Sequence, residues 1–217
     1  MKTRLVGDLT PSQAAELHKA FLDDLLDRLR AGRFDLRLAW ALEEGEEVPA
    51  GPPPGMRQRG ADLGARLYNA LAEAAQAAGD DEALVAALGS DHPTLPLERV
   101  HLAFEKLEAG APLVLGPAED GGYYLIAARA GALSPRLFEE IAWSTPAVLP
   151  STLERCRELG LTPELLPMAA DVDTPDDLRR LAGLMTEGDL GCPRTRELLL
   201  AWGWIAPASR RAGGAGA

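Results

Sequence analysis

A chain of 217 residues, 47% of them hydrophobic, has the length and composition of one globular domain with a sizeable core. Its formal net charge of −11, from 33 acidic and 22 basic residues, argues against a broad surface for nucleic acid. The sequence shows no apolar run long enough to span a membrane and no signal-peptide core, so we expect a cytoplasmic protein with no membrane partner. We expect one domain over residues 1–205 and a disordered tail over 206–217, and we expect Cys156 and Cys192 to be structural thiols.

Hydrophobic periodicity predicts the alternating helices and strands of an α/β protein. In chain order we expect a helix at 11–30, a strand at 34–42, a helix at 62–78, a strand at 83–88, a helix at 97–109, strands at 112–116 and 122–128, helices at 135–141 and 151–159, a strand at 163–168, and helices at 175–185 and 193–202. Thr10 and Gln13 form a capping box that sets the start of the first helix. The wholly apolar run at 83–88 is typical of a central parallel strand that is buried on both faces.

Polar residues follow this apolar strand abruptly, at the end where open α/β sheets bind ligands. Asp91 comes first among them, in a segment whose prolines fix the turn, and a carboxylate held in this way suits a cation. Asp91 is therefore our first candidate metal ligand. The alternative is that Asp91 caps the next helix, a role that Thr94 and Pro96 also offer to fill.

A second acidic segment begins at Asp171. Asp171 and Asp173 project to the same side of an extended segment, because side chains alternate with period two. Thr174 is expected to cap the helix that follows, which explains the two further acidic residues in its first turn. Asp171 and Asp173 have no such explanation, and beside Asp91 they would repel one another unless a cation joined them. We therefore expect Asp173 and Asp171 to complete the metal site.

The segment from Glu119 to Tyr123 carries another group of candidates. Gly121 and Gly122 would allow the backbone to approach a ligand closely, and Tyr123 offers a hydroxyl for sugar recognition. We take these three as candidate substrate-binding residues, and we take Glu119 and Asp120 as candidate catalytic residues. The alternative is an ordinary hairpin turn, in which acidic residues and glycine are common.

Two further segments are candidates for phosphate binding. Lys2 and Arg4 form a compact basic cluster, Arg4 with its planar fork and Lys2 as a point charge, although solvated basic residues are ordinary at a chain terminus. Gly64 lies where a loop enters a helix, a position that suits a nucleobase or a phosphate. Ordinary helix capping by Asp62 is the alternative there.

Taken together, these segments resemble a bacterial family of GT-A-like transferases, often labelled radical-SAM/selenodomain-associated transferase or arsenosugar-biosynthesis glycosyltransferase. The matching motifs occur in order: Lys2-Thr3-Arg4-Leu5, Ala14-Ala15-Glu16-Leu17, Asp62-Leu63-Gly64-Ala65-Arg66-Leu67, Gly89-Ser90-Asp91-His92-Pro93-Thr94-Leu95-Pro96, Gly116-Pro117-Ala118-Glu119-Asp120-Gly121-Gly122-Tyr123-Tyr124-Leu125, Trp143-Ser144-Thr145 and Asp171-Val172-Asp173-Thr174-Pro175. The resemblance implies a Rossmann-like GT-A fold, with a mostly parallel mixed sheet between helices.

That family is similar in turn to molybdenum-cofactor and phospholactate nucleotidyltransferases, in which a mid-chain aspartate and a late Asp-x-Asp-Thr-Pro-type segment hold Mg²⁺ against a nucleotide. The resemblance therefore implies that Asp91 and Asp173 bind Mg²⁺ or Mn²⁺ and that Lys2 and Arg4 contact phosphate. It leaves three functions open: glycosyl transfer from a nucleotide sugar to a small-molecule acceptor, nucleotidyl transfer from a nucleoside triphosphate, and a catalytically degenerate binding protein.

One departure from this family concerns its first strand. Family members usually begin with an apolar strand and a Pro/Gly loop before the Lys-Thr-Arg motif, whereas this sequence begins at Met1. We therefore expect the first strand to be missing and the strand at 83–88 to lack one neighbour. An unpaired apolar strand is a template for pairing, so we expect the protein either to form a homodimer across this gap or to aggregate.

Overall fold

The computed structural model describes residues 5–79 and 82–206. By their contacts these residues form two compact units. The helical unit comprises residues 5–27, 90–94 and 172–206, and the sheet unit comprises residues 28–79, 82–89 and 95–171. The single domain expected over 1–205 stays a prediction, and all of the expected disordered tail except Ala206 lies outside the described residues.

The observed helices and strands follow the predicted order. They are α1 (Pro11–Arg30), β1 (Leu38–Trp40), β2 (Gly55–Arg57), α2 (Leu63–Ala78), β3 (Leu84–Leu88), α3 (Leu97–Glu108), β4 (Leu113–Pro117), β5 (Tyr123–Arg129), α4 (Val148–Glu158), β6 (Glu164–Leu165), α5 (Pro175–Glu187) and α6 (Pro193–Ala201). The helix expected at 135–141 is only a short 3₁₀ turn, Pro135–Phe138. Strand β2 was not predicted, because it is short and follows a proline-rich loop.

The helical unit is built around the amphipathic helix α1. The backbone N–H of Thr10 donates to the Gln13 side chain at 2.9 Å, and the N–H of Gln13 donates to the Thr10 hydroxyl at 3.2 Å, so the predicted capping box is confirmed. The apolar face of α1 packs against α5, α6 and the segment before α5. The core consists of Leu5, Leu9, Leu17, Phe21, Val172, Leu178, Leu181, Ala182, Met185, Cys192, Leu199 and Ile205.

A buried carboxylate joins α1 to α6. Asp24, only 1% exposed, accepts hydrogen bonds from the Thr195 N–H at 2.9 Å, the Thr195 hydroxyl at 2.7 Å and the Arg194 N–H at 3.1 Å. The two N–H groups belong to the first turn of α6, where helical N–H groups have no partner within the helix and the dipole favours an anion. A side chain of α1 therefore caps α6.

The sheet unit contains a two-stranded parallel sheet, β1–β2, and a four-stranded sheet in the order β3–β5–β4–β6. Strand β5 is antiparallel to both β3 and β4, and β4 is parallel to β6. Strands β3, β4 and β6 therefore run in one direction and β5 in the other, which confirms the mostly parallel mixed sheet. The core of this unit consists of Leu71, Ala75, Val85, Leu113, Leu115, Ile126, Ala128, Leu137, Phe138 and Cys156.

Within the described residues β3 lies at the edge of this sheet beside the antiparallel β5, so the expectation of a central parallel strand buried on both faces was wrong. The Gly89 N–H donates to the Tyr124 carbonyl, and the Ala130 N–H donates to the Ala83 carbonyl. Because hydrogen-bonding directions alternate along a strand, every second residue between these points directs its backbone groups away from β5. Those residues are Leu84, Ala86 and Leu88. Within the described residues the strand thus lacks one neighbour, as the resemblance implied.

Both cysteines are buried thiols, which agrees with their expected structural role. Burial raises the pKa of Cys156 to about 11, so this thiol stays protonated and unreactive at neutral pH. Among the described residues, no helix combines the length and the apolar character that crossing a membrane requires.

Candidate metal centre

Three carboxylates come together beside the turn that follows β3. Asp91, Asp171 and Asp173 each offer one oxygen, and these oxygens lie within 4.8 Å of one another. The N–H of Val172 donates to the Asp91 carbonyl at 3.2 Å, which places the segment 171–173 alongside the turn. The structure therefore brings together the aspartates that the sequence singled out, and their role as metal ligands stays a prediction.

The Asp91 side chain is held by its neighbour in the chain. His92 Nδ1 lies 3.1 Å from Asp91 Oδ1, and His92 is only 4% exposed. Apart from their adjacency, no signal in the sequence indicates this contact, because neighbouring side chains in an extended segment usually point in opposite directions. Helix α3 begins after Pro96 with no side-chain cap, so Asp91 does not serve as its N-cap.

The backbone beside Asp173 is held by Asp177. Asp177 Oδ2 accepts hydrogen bonds from the N–H of Asp173 at 3.2 Å, the N–H of Thr174 at 2.8 Å and the Thr174 hydroxyl at 2.7 Å. The Thr174 hydroxyl in turn accepts from the Asp177 N–H at 3.3 Å, which completes a capping box. Burial alone would raise the pKa of Asp177, but these hydrogen bonds and nearby Arg180 lower it below its ordinary value.

The donor set fits a hard divalent cation. All three groups are half-buried carboxylates, and oxygen ligands of this kind suit Mg²⁺ and Mn²⁺. Three carboxylates at this separation repel one another, and a bound cation would remove that cost. Cysteine and histidine are absent from this group, which separates it from a structural zinc site.

The candidates Glu119 to Gly122 lie in the sheet unit, in the connection between the antiparallel strands β4 and β5. The Gly121 N–H donates to the Ala118 carbonyl, and the Ala118 N–H donates to the Gly122 carbonyl. Asp120 Oδ1 accepts from the Gly122 N–H at 2.8 Å. The backbone is therefore a hairpin turn, the alternative stated above, and it leaves the side chains of Glu119 and Asp120 exposed. Their catalytic role stays a prediction.

Tyr123 lies at the start of β5, with its ring packed edge-on against Trp143 at a centroid distance of 6.4 Å. Within the described residues its hydroxyl is buried without a hydrogen-bond partner, and this burial raises the pKa of Tyr123. A role of Tyr123 in substrate binding stays a prediction. In this conformation the hydroxyl itself faces the protein interior.

Two of the candidate glycines have packing reasons for their lack of a side chain. A Cβ on Gly64 would lie 2.5 Å from the Phe138 carbonyl oxygen and 2.8 Å from Trp143 Nε1. Gly121 has a φ of +89°, and its Cβ would lie 2.5 Å from the Pro146 carbonyl oxygen. Close packing therefore explains both glycines whether or not a ligand approaches them. The candidate phosphate contacts Lys2 and Arg4 lie outside the described residues.

The fold and this site can be compared with known proteins. A crystal structure from Desulfovibrio desulfuricans G20, described as a "putative nucleotide-diphospho-sugar transferase", is 30% identical in sequence, with a TM-score of 0.81 over 95% of this chain and 93% of that one. A structure of CMP:2-keto-3-deoxy-manno-octonic acid synthetase complexed with CTP is 16% identical, with a TM-score of 0.51 over 77% of this chain and 88% of that one. The expected nucleotide-diphospho-sugar transferase fold is thus confirmed.

No curated protein matches the chain in sequence. The family of uncharacterized proteins conserved in bacteria, DUF2064, matches residues 25–145, which is more than half of the chain. The chain therefore belongs to the DUF2064 family of bacterial proteins.

Proposed function

We propose that the protein is a Mg²⁺-dependent transferase that moves a sugar from a nucleotide-sugar donor to a small-molecule acceptor. The observation that carries this proposal is the cluster of Asp91, Asp171 and Asp173, whose carboxylate oxygens lie within 4.8 Å of one another. The name of the 30%-identical relative supports the donor class. Within that class, the motifs favour the arsenosugar-biosynthesis and selenodomain-associated glycosyltransferases.

In this proposal the three aspartates would hold Mg²⁺ or Mn²⁺, which would supply positive charge against the diphosphate of the donor. His92 keeps the Asp91 carboxylate in place, and Asp177 fixes the backbone beside Asp173. Because the protein's own residues make both contacts, they would hold the carboxylates in position for the cation.

We assign roles to the remaining candidate residues from the chemistry of their side chains and backbone. Glu119 and Asp120 are exposed carboxylates, suited to accept a proton from an acceptor hydroxyl. We assign the sugar to the turn of Gly121 and Gly122 and to the adjacent Tyr123. Lys2, Arg4 and Gly64 are assigned to the nucleotide and its phosphates.

A nucleotidyltransferase that uses a nucleoside triphosphate is the second candidate. Its support is the shared fold with the synthetase that was solved with CTP, and a carboxylate cation site suits that chemistry equally well. The two reactions differ in the bond that breaks. Glycosyl transfer releases a nucleoside diphosphate, whereas nucleotidyl transfer releases pyrophosphate.

Thermal unfolding with a panel of nucleotide sugars and nucleoside triphosphates, with and without Mg²⁺, tests the proposal. A ligand present at 100 times its dissociation constant adds about 2.7 kcal/mol to stability, which is readily measured. We expect stabilisation that needs the cation and that disappears in Asp91→Asn and Asp173→Asn. Asp176→Asn is the matched control, because Asp176 is a nearby exposed acid paired with Arg179.

Equal stabilisation of the wild type and of both active-site variants would contradict the proposal. Chromatography of the products from the stabilising ligand then separates the candidates by the release of nucleoside diphosphate or pyrophosphate. Cation-dependent binding without turnover of any ligand would instead identify a binding protein.

A further inference from the structure

We propose that His18 is a positioning residue whose hydrogen bond to Ser90 holds the turn that presents Asp91. His18 Nε2 lies 2.8 Å from Ser90 Oγ, although the two residues are 72 positions apart in the chain. Both belong to the helical unit. The inference rests on the proposed cation site, because Asp91 follows Ser90 directly.

The turn that carries Asp91 is only a short segment, residues 90–94, so contacts elsewhere in the helical unit must hold it in place. Residues 90–94 belong to the helical unit, whereas strand β3 before them and helix α3 after them belong to the sheet unit. Five residues cannot form a core or regular structure of their own. Their conformation therefore depends on the contacts that they make with the rest of the helical unit.

The turn is held by contacts on three different groups. The Val172 N–H holds the carbonyl of Asp91, and His92 holds its carboxylate. The hydrogen bond to His18 holds the residue before Asp91 by its side chain. Of the three, only the His18 contact ties the turn to a long helix.

Helix α1 is a rigid base for this anchor. Leu17 and Phe21, on either side of His18 in the helix, are fully buried in the core of the helical unit. They fix the rotation of α1 about its axis and hence the direction of the imidazole. A metal ligand that is displaced by a fraction of an ångström loses affinity, which is why supporting hydrogen bonds around metal sites matter.

The hydrogen bond can form whether or not His18 Nε2 carries a proton. The Ser90 hydroxyl can donate to an unprotonated Nε2, or it can accept from a protonated one. A glutamine at position 18 can reach the hydroxyl in the same way, whereas phenylalanine cannot. Supporting hydrogen bonds of this kind typically change metal affinity by about 10- to 100-fold, and because His18 acts through a neighbour of the ligand we expect about 10-fold.

The dissociation constant for Mn²⁺ tests this inference without any nucleotide or activity. Electron paramagnetic resonance of free Mn²⁺ is measured on the full chain and on His18→Phe, Ser90→Ala and the double variant. We expect each single change to weaken Mn²⁺ binding about 10-fold and the double variant to bind no more weakly than either. His18→Gln should restore affinity. His101→Phe is the control, since His101 contacts the Phe34 ring in the sheet unit.

The outcomes separate this inference from the proposed function. If the wild type binds no Mn²⁺, or if Asp173→Asn binds it equally well, the cation site is wrong and the role of His18 falls with it. If Asp173→Asn loses binding while Ser90→Ala and His18→Phe keep full affinity, only the positioning role is wrong. Additive losses in the double variant would also overturn it. Ser90→Ala removes a single hydroxyl, so the test stands even if His18→Phe fails to fold.

Discussion

The carboxylate of Asp177 accepts a hydrogen bond from the backbone N–H of Asp173 at 3.2 Å. Asp177 caps α5 through Thr174, so one side chain supports both a helix terminus and the segment that carries a candidate metal ligand. From the sequence, Asp177 is expected to matter for the helix alone. The structure adds a connection from that helix to the site.

Asp177→Ala should therefore lower both stability and cation binding. Loss of the capping interaction should cost about 1 kcal/mol in the free energy of unfolding. Mn²⁺ affinity should fall as well, because the Asp173 backbone loses its partner. Asp176→Ala, an exposed neighbour in the same helical turn, should change neither quantity substantially. Denaturant unfolding and Mn²⁺ titration check this, and unchanged Mn²⁺ affinity in Asp177→Ala would contradict it.

The stabilising effect of Asp177 should disappear in acid. The pKa of Asp177 is lowered in the folded protein, so its contribution is present above the unfolded pKa, about 4, and is lost as the pH falls through the folded value. The difference in unfolding free energy between the wild type and Asp177→Ala should thus shrink below about pH 4. Urea unfolding at a series of pH values measures it. A difference that is constant down to pH 2 would be incompatible with the lowered pKa.

Asp24→Ala should be among the most destabilising single changes in the helical unit. The substitution leaves the Thr195 N–H, the Thr195 hydroxyl and the Arg194 N–H without their acceptor. An orphaned buried donor costs about 1–3 kcal/mol, so we expect a loss of roughly 3 kcal/mol or more. Asp23→Ala removes a neighbouring acid whose partner Lys19 is exposed, and it should cost less than about 1 kcal/mol. Similar losses in the two variants would show that the buried cluster adds nothing.

Gly64→Ala should destabilise the protein because of packing, independently of any ligand. The new methyl group would meet the Phe138 carbonyl oxygen and the Trp143 ring, and overpacking of this kind costs about 1–3 kcal/mol. Gly131→Ala is the control, since open space surrounds that position. Thermal unfolding of the two variants without ligand decides the matter. Equal melting temperatures would mean that Gly64 is free of steric constraint.

The edge of β3 that is unpaired within the described residues should make the protein self-associate. Leu84, Ala86 and Leu88 direct their backbone groups away from β5. If two copies paired antiparallel about Ala86, Ala86 would lie opposite Ala86 and Leu84 opposite Leu88, so all three residues would form hydrogen bonds with the second copy. Sedimentation of the wild type should show a concentration-dependent dimer. Ala86→Pro removes an outward N–H and should give a folded monomer, whereas Ala87→Pro removes an N–H that faces β5 and should unfold the sheet. A wild type that is monomeric at all concentrations would contradict this.

Local signals in the sequence predicted a large part of the fold. The starts of α1, α2 and α5 follow from Thr10, Asp62 and Thr174, whose side chains act within three or four residues. The spacing of Asp171 and Asp173 likewise predicted that both would face a common partner. In each case the residues involved lie close together in the sequence, so the pattern can be recognised from the sequence alone.

Non-local interactions account for what the sequence did not reveal. The edge position of β3 depends on pairing with β5, about forty residues away, and hydrophobicity alone does not distinguish an edge strand from a central one. The hydrogen bond between His18 and Ser90 links residues 72 positions apart, and no local pattern marks either as a partner.

The bond between Asp24 and Thr195 spans 171 positions, and this has a consequence for synthesis on the ribosome. Helix α1 is made before α5 and α6, which cover its apolar face. Until those helices have been made, Leu17 and Phe21 are available to chaperones or to other nascent chains. A chain that stalls before residue 172 already contains Asp91 but not Asp173, so the proposed cation site can form only after residue 173 has been made.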